Sequence, residues 1–200
     1  VDILVTPLIT IGVGTGVAAL IAPALGKAAM KIGELIMLAT NLQPFLMGIA
    51  VSVLVGIALT LPISSAAICA AFGLTGLAGG AAVAGCCAQM VGFAVMSFKE
   101  NRWGGLVSQG IGTSMLQMGN IIKNPRIWIA PIVTSAITGP MATCLFKLQM
   151  NGTPVSSGMG TCGFVGQIGV YSGWVNDIAN GTKAAITGFD WTGMILISFI

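Results

Sequence analysis

An all-α fold of helices that cross a bilayer several times is what the sequence predicts, and three observations predict it. The 200 residues are 56% hydrophobic and only 6% charged, with a mean hydropathy of +0.98, whereas a soluble chain carries about 25% charged residues. Eight Lys and Arg and five Asp and Glu cannot solvate the surface of a chain this long, but lipid removes the need. Several uncharged runs reach the roughly 20 residues that a spanning helix requires. The 29 glycines supply the small side chains that let membrane helices approach closely.

The elements follow in order. Ile3–Leu25 is uncharged and long enough to span. In Lys27–Gln43, the residues Lys27, Lys31 and Glu34 share one helical face, which predicts an amphipathic helix lying at the interface. Pro44–Leu61 reads as a second span, interrupted at Pro62 and followed by apolar Ile63–Leu74. Gly76–Phe98, rich in Gly and Ala, is a third. Lys99–Gly105 is the most polar stretch and belongs in water. Leu106–Lys123 mixes Ser108, Gln109, Thr113, Ser114, Gln117 and Asn120 with apolar residues, so it lies at the interface or lines a cavity. Ile127–Leu148 is a fourth span. Gln149–Gly163 is polar and glycine-rich, Phe164–Trp174 is apolar but short, Val175–Gly188 is polar, and Trp191–Ile200 starts a further span. The chain starts at Val1 and stops inside that last apolar run, so a single domain over 1–200, part of a longer membrane protein, is expected.

If Pro44–Leu61 crosses one way and Gly76–Phe98 crosses back, Lys27, Lys31, Lys99, Arg102, Lys123 and Arg126 fall on one side. The positive-inside rule makes that side cytoplasmic. Lys183 joins them only if Gln149–Trp174 brings the chain back to that side, and Lys147 is the exception. Pro62–Cys69 also resembles Pro131–Thr138, and Gly85–Met90 resembles Gly163–Ile168, a faint internal repeat of the kind common in transporters.

Candidate chemistry sits where the spans fail. A glycine-rich polar stretch between apolar segments cannot face lipid, because each unpaired backbone group would cost several kcal/mol. Asn151–Gly163 therefore reads as a re-entrant loop reaching toward the midplane. Gly152, Gly158 and Gly160 would let backbone approach a solute, and Asn151, Ser156, Ser157, Thr161 and Gln167 would offer neutral donors and acceptors to a polyhydroxylated one. Thr134, Ser135 and Thr138, close to Pro131, are expected on the same cavity as hydroxyls of a broken helix. No carboxylate falls convincingly inside a span, no histidine exists, and the five cysteines show no metal-ligand spacing. No nucleotide-binding loop or catalytic triad is present. No catalytic residue, metal or cofactor is assigned, and the basic balance of +3 is too small for a nucleic-acid partner.

Asn124–Pro125–Arg126 and Ser156–Gly163, within the runs NPRIWIAP, ITGPMATCLFKLQMNG and SSGMGTCGFVGQIGVYSGWVND, carry a resemblance. The chain resembles the EIIC-type membrane subunits of the bacterial phosphotransferase system, and within them the PfoR-like branch described as a toxin regulator. The resemblance implies a homodimeric multi-pass permease of the bacterial cytoplasmic membrane that carries a sugar, while a separate cytoplasmic EIIB protein performs the phosphoryl transfer. Better-known sugar EIIC subunits use a His and a Glu near the sugar. This sequence lacks the His, and Glu34 and Glu100 lie in no such motif. Two other readings stay open: a non-transporting membrane sensor or regulator, and an ion-coupled secondary transporter.

Overall fold

A computed structural model describes residues 2–199, except for the side chains of residues 2–10 and of several positions between 17 and 32. Ile200, and most side chains of the expected span Ile3–Leu25, therefore lie outside the described residues. Among the described residues the architecture is helical, with a lone Gly76–Met150 bridge as the sole β-type pairing. The helices are α1 (Asp2–Leu42), α2 (Pro44–Thr60), α3 (Ser65–Phe72), α4 (Gly76–Met96), α5 (Phe98–Val107), α6 (Met118–Lys123), α7 (Ile129–Pro140), α8 (Pro154–Ser157), α9 (Val165–Ala179) and α10 (Gly188–Phe199). Gly76–Met96 and Pro125–Leu145 are long and apolar enough to cross a membrane, and Pro44–Thr60 is a shorter apolar helix.

α4 is the axis of the fold. Its Gly and Ala residues offer no polar face, and 15 of its residues, from Ala78 to Ala94, are buried. On α2 the small residues Gly48, Ser52, Gly56 and Thr60 recur every four positions and are all buried, so they form one seam. Gly56 abuts Gly85, and a side chain at Gly85 would overlap the Ser52 carbonyl. Further along α2, Thr60 reaches Gln89. The register increases along both helices, so α2 and α4 run parallel. α7 runs against them: Pro131 packs on Gly92, Gly139 on Gly48, and the Thr143 hydroxyl donates to the Pro44 carbonyl at 2.7 Å.

Parallel α2 and α4 correct the expected topology. The chain turns at Pro62, where Ser64 caps α3 by accepting from the Ala67 N–H at 3.2 Å. It then returns through α3 to the left-handed Gly73 (φ +61°) before α4 begins. Proline favours such a break because it cannot donate a backbone hydrogen bond. α1 differs too. In place of a span followed by an interfacial helix, Asp2–Leu42 is one helix of 41 residues, about 60 Å long, without a break at Lys27. Its packed part lies near the start of α4, with Gly33 against Phe72 and Met37 against Thr75. The segment bearing Lys27 and Lys31 thus joins the fold at the Gly76 end, while Lys99 follows the other end of α4. The one-sided count of cations does not hold.

Candidate solute site

The stretch after α7 fails to continue as a span for local reasons. Met141–Leu145 widens into a π-turn, Lys147 adopts a left-handed φ of +46°, and Met150 pairs with Gly76. Pro154 then starts the single turn of α8, and the chain travels along α4. Ser157 donates to the Leu74 carbonyl at 2.7 Å, Gly160 sits on Cys86, and Thr161 donates to the Gly110 carbonyl at 2.5 Å with Met90 close by. The tip thus reaches the middle of α4. Left-handed Gly163 and Phe164 (φ +53° and +57°) reverse the chain. α9 leads back, from Gln167 beside Cys87 to Asp177 beside Asn151. Gln149–Gly163 is a re-entrant segment.

This half-helix has a counterpart that the sequence reading missed. Pro62–Ile63–Ser64–Ser65 opens α3 and Pro154–Val155–Ser156–Ser157 forms α8. The same Pro-apolar-Ser-Ser pattern starts two short segments that enter from opposite ends of α4. They pack on one another, with the Ser65 hydroxyl donating to the Gly158 carbonyl at 2.7 Å. Phe72 and Phe164 fall at equal spacing from the two prolines. The repeat expected between Pro62–Cys69 and Pro131–Thr138 pairs unlike environments, since Pro131 sits inside continuous α7.

The predicted residues fall into two groups. Asn151, Gly152, Ser156, Ser157, Gly158, Gly160, Thr161 and Gln167 share the re-entrant segment and α9. Their glycines, however, meet protein backbone: Gly152 meets Gly169, Gly158 meets Ser65, and Gly160 meets Cys86 and Cys87. The close approach they allow is helix packing. Gln167 donates to Ser198 at 2.8 Å and leaves its Oε1 without a partner. Thr134, Ser135 and Thr138 lie on α7 and do not join this group. Thr134 bonds back to Ala130, and Thr138 to Ser135. Ser135 belongs to a different network, around fully buried Gln89. Gln89 Nε2 donates to Ser135 at 3.3 Å, while its Oε1 accepts from Thr60 at 3.3 Å and from the Trp128 indole at 3.0 Å. Every polar atom of that side chain is used, so the network holds α2, α4 and α7 together.

Of the predicted group, Thr161 borders a mostly apolar cavity of about 310 Å³ with Phe164 and Phe199, and Asn151 borders a polar one. Asn151 lines this cavity, of about 390 Å³ at the Gly76 end, with Lys147, Trp174, Asp177, Lys183 and Asp190. Asn151 Nδ2 donates to Asp177 at 2.8 Å. Lys183 pairs with Asp190 at 2.6 Å and lies 5.1 Å from the Trp174 ring centre. Burial alone would raise the Asp190 carboxyl, but Lys183 and the Thr187 backbone and hydroxyl overcome this and hold it below the usual carboxylate range. Charges of both signs beside an amide and an indole can bind hydroxyls and orient a polar solute. Lys147, the exception to the expected topology, and Lys183 find their place here. Their convergence was illegible in sequence because the residues lie far apart along the chain.

Among the described residues, no group of His, Cys, Asp and Glu is placed to hold a metal. No curated protein and no solved structure matches the sequence. The family described as "Phosphotransferase system, EIIC" matches residues 1–200. With its apolar helices and a re-entrant segment, the chain belongs to the EIIC family of the phosphotransferase system, the integral membrane permease component of such a system.

Proposed function

We propose that the chain carries a neutral polyhydroxylated solute, a sugar, across the bacterial cytoplasmic membrane. In this reading it works as a homodimer with a cytoplasmic EIIB protein that phosphorylates the cargo. The observation that carries the reading is the pair of half-helices, α3 and Pro154–Phe164, which come from opposite ends of α4 and meet beside its middle. Broken helices at mid-depth are the usual place for a transporter's solute site. The cavity with Asn151, Lys147, Asp177 and Lys183 is then the mouth at one end, and Asn151–Gly163, with Gln167 and its unpartnered Oε1, is the moving wall behind it. Thr134, Ser135 and Thr138 act as the fixed wall across α4 rather than as ligands. The PfoR-like, toxin-regulator resemblance lies in the same runs and is compatible with carriage.

The chain's own residues supply binding and orientation, and phosphoryl transfer is assigned to the EIIB partner. The full protein in sealed proteoliposomes loaded with unlabelled glucose, mannitol or cellobiose should accumulate the matching labelled solute by counterflow. Asn151→Ala should reduce that exchange about tenfold. An absence of exchange with every neutral solute, in vesicles shown to contain folded protein, would remove the permease reading and leave a sensor.

A further inference from the structure

The end of the molecule opposite the charged mouth carries a second set of polar groups. α5 and α6 are joined there by a π-turn, Ser108–Gly112, and a 3-10 turn, Ser114–Gln117. Asn101, Ser108, Gln109, Gln117 and Asn120 line a cavity of about 450 Å³ between them. A neighbouring cavity of about 280 Å³ shares Asn101, Gln117 and Asn120, and adds Ser97 and Glu100.

Gln109 is the unusual member. It is 3% exposed, yet its Oε1 has no hydrogen-bond partner. Buried amide oxygens almost always find a donor, and leaving one without a donor destabilises the fold. Gln89, equally buried, uses every polar atom it has, so the bundle readily saturates a glutamine held for structure. The backbone around Gln109 is irregular as well. It lies in a π-turn, a form often found at functional sites, and Arg102 nearby in sequence is forced to a left-handed φ of +50°. Thr161, at the tip of the re-entrant segment, donates to the carbonyl of Gly110, the residue after Gln109, at 2.5 Å. The cavity is thereby tied to the element proposed to move.

We infer that Asn101, Ser108, Gln109, Gln117 and Asn120 form a second binding station for a neutral polyhydroxylated solute, at the opposite end of the pathway from Asn151. This rests on the permease reading. Amides and hydroxyls each offer donors and acceptors, which a polyol matches, and the five groups carry no charge that would select an ion. The volume lies within the range of small-molecule sites, about 300–1,000 Å³. Gln109 Oε1 is closed off from the cavity in the conformation described, so a solute hydroxyl would supply the donor it lacks once the π-turn shifts.

The test uses the full protein in detergent, with thermal unfolding followed with and without glucose, mannitol and cellobiose, alongside counterflow of the same solutes. Wild type should unfold at a higher temperature with whichever probe it exchanges. Gln109→Leu should keep or raise the unfolding temperature without solute, weaken the probe's apparent affinity about tenfold, and slow counterflow. Asn120→Ala should weaken affinity in the same direction. A lower unfolding temperature for solute-free Gln109→Leu would make Gln109 structural and overturn the station. Wild-type affinity in Gln109→Leu, or no shift with a probe that wild type exchanges, would overturn it too while leaving the permease reading intact. A wild-type protein that neither binds nor exchanges any probe would remove both.

Discussion

The two segments that open on Pro-apolar-Ser-Ser, α3 and Pro154–Phe164, start alike and end differently. α3 begins with Pro62 and the Ser64 cap, runs eight residues as a regular helix, and stops at left-handed Gly73. The segment at Pro154 makes one turn, then three left-handed residues, Gly160, Gly163 and Phe164. Each leans on the other through Ser65 and Gly158. The first is a regular helix whose backbone bonds close within itself and whose Ser65 and Cys69 are buried. The second is held by its neighbours: Ser157 bonds Leu74, Thr161 bonds Gly110, and Gly160 rests on α4. Opening the second breaks contacts with its neighbours without unwinding a helix, which is why it is the one proposed to move.

The largest expected effect falls on the second segment. Gly160→Leu puts a side chain against the backbone of Cys86 and Cys87 at a left-handed φ, and should cost roughly 3 kcal/mol or more, read as loss of monodisperse protein after extraction. An inserted, stable Gly160→Leu that has lost only uptake would return this glycine to the solute. Gln89→Leu comes next, at roughly 2 kcal/mol, because Thr60, Ser135 and Trp128 lose their partner. Denaturant unfolding in mixed micelles would show it. Ser64→Ala removes the cap of the regular half-helix at about 1 kcal/mol, and should leave the second segment's exchange protection unchanged.

The smallest effect is at the charged mouth. Asp190 bonds the Thr187 amide and hydroxyl as well as Lys183, and its carboxyl is held below the usual range. A lowered folded value means that the stabilisation is complete above the ordinary aspartate range, about 3.9, and is lost as pH falls through the folded value. Asp190→Ala should therefore be less stable than wild type by about 0.5 kcal/mol at neutral pH, with the gap closing in acid. A constant gap across that range would show that the carboxylate charge contributes nothing.

Much of this was legible in the residues. The apolar runs at Pro44, Gly76 and Ile127 became helices, since lipid leaves an apolar chain few alternatives. Gln149–Gly163 was recognisable as re-entrant because its glycines and hydroxyls cannot face lipid. The direction of α4 was not legible. Apolarity says that a segment is buried but not which way it runs, and Ile63–Leu74 was too short to be recognised as the return path. The site was legible only in part. Asn151 was identified, but the convergence of Lys147, Asp177, Lys183 and Asp190 needs the fold of α9 and α10, and the contrast between Gln89 and Gln109 needs their hydrogen bonds.

Parallel α2 and α4, joined by the α3 return, underlie both the half-helix pair and the placement of the two cavities. Gln43 precedes α2 and Asn101 follows α4, and both are exposed. The measurement is labelling of single cysteines at Gln43 and Asn101, each in a cysteine-free background, by a membrane-impermeant thiol reagent added to one side of sealed vesicles. The parallel arrangement requires the two positions to react from opposite sides. Reaction of both from the same side would mean that α2 and α4 form an antiparallel pair, and would contradict the fold described here.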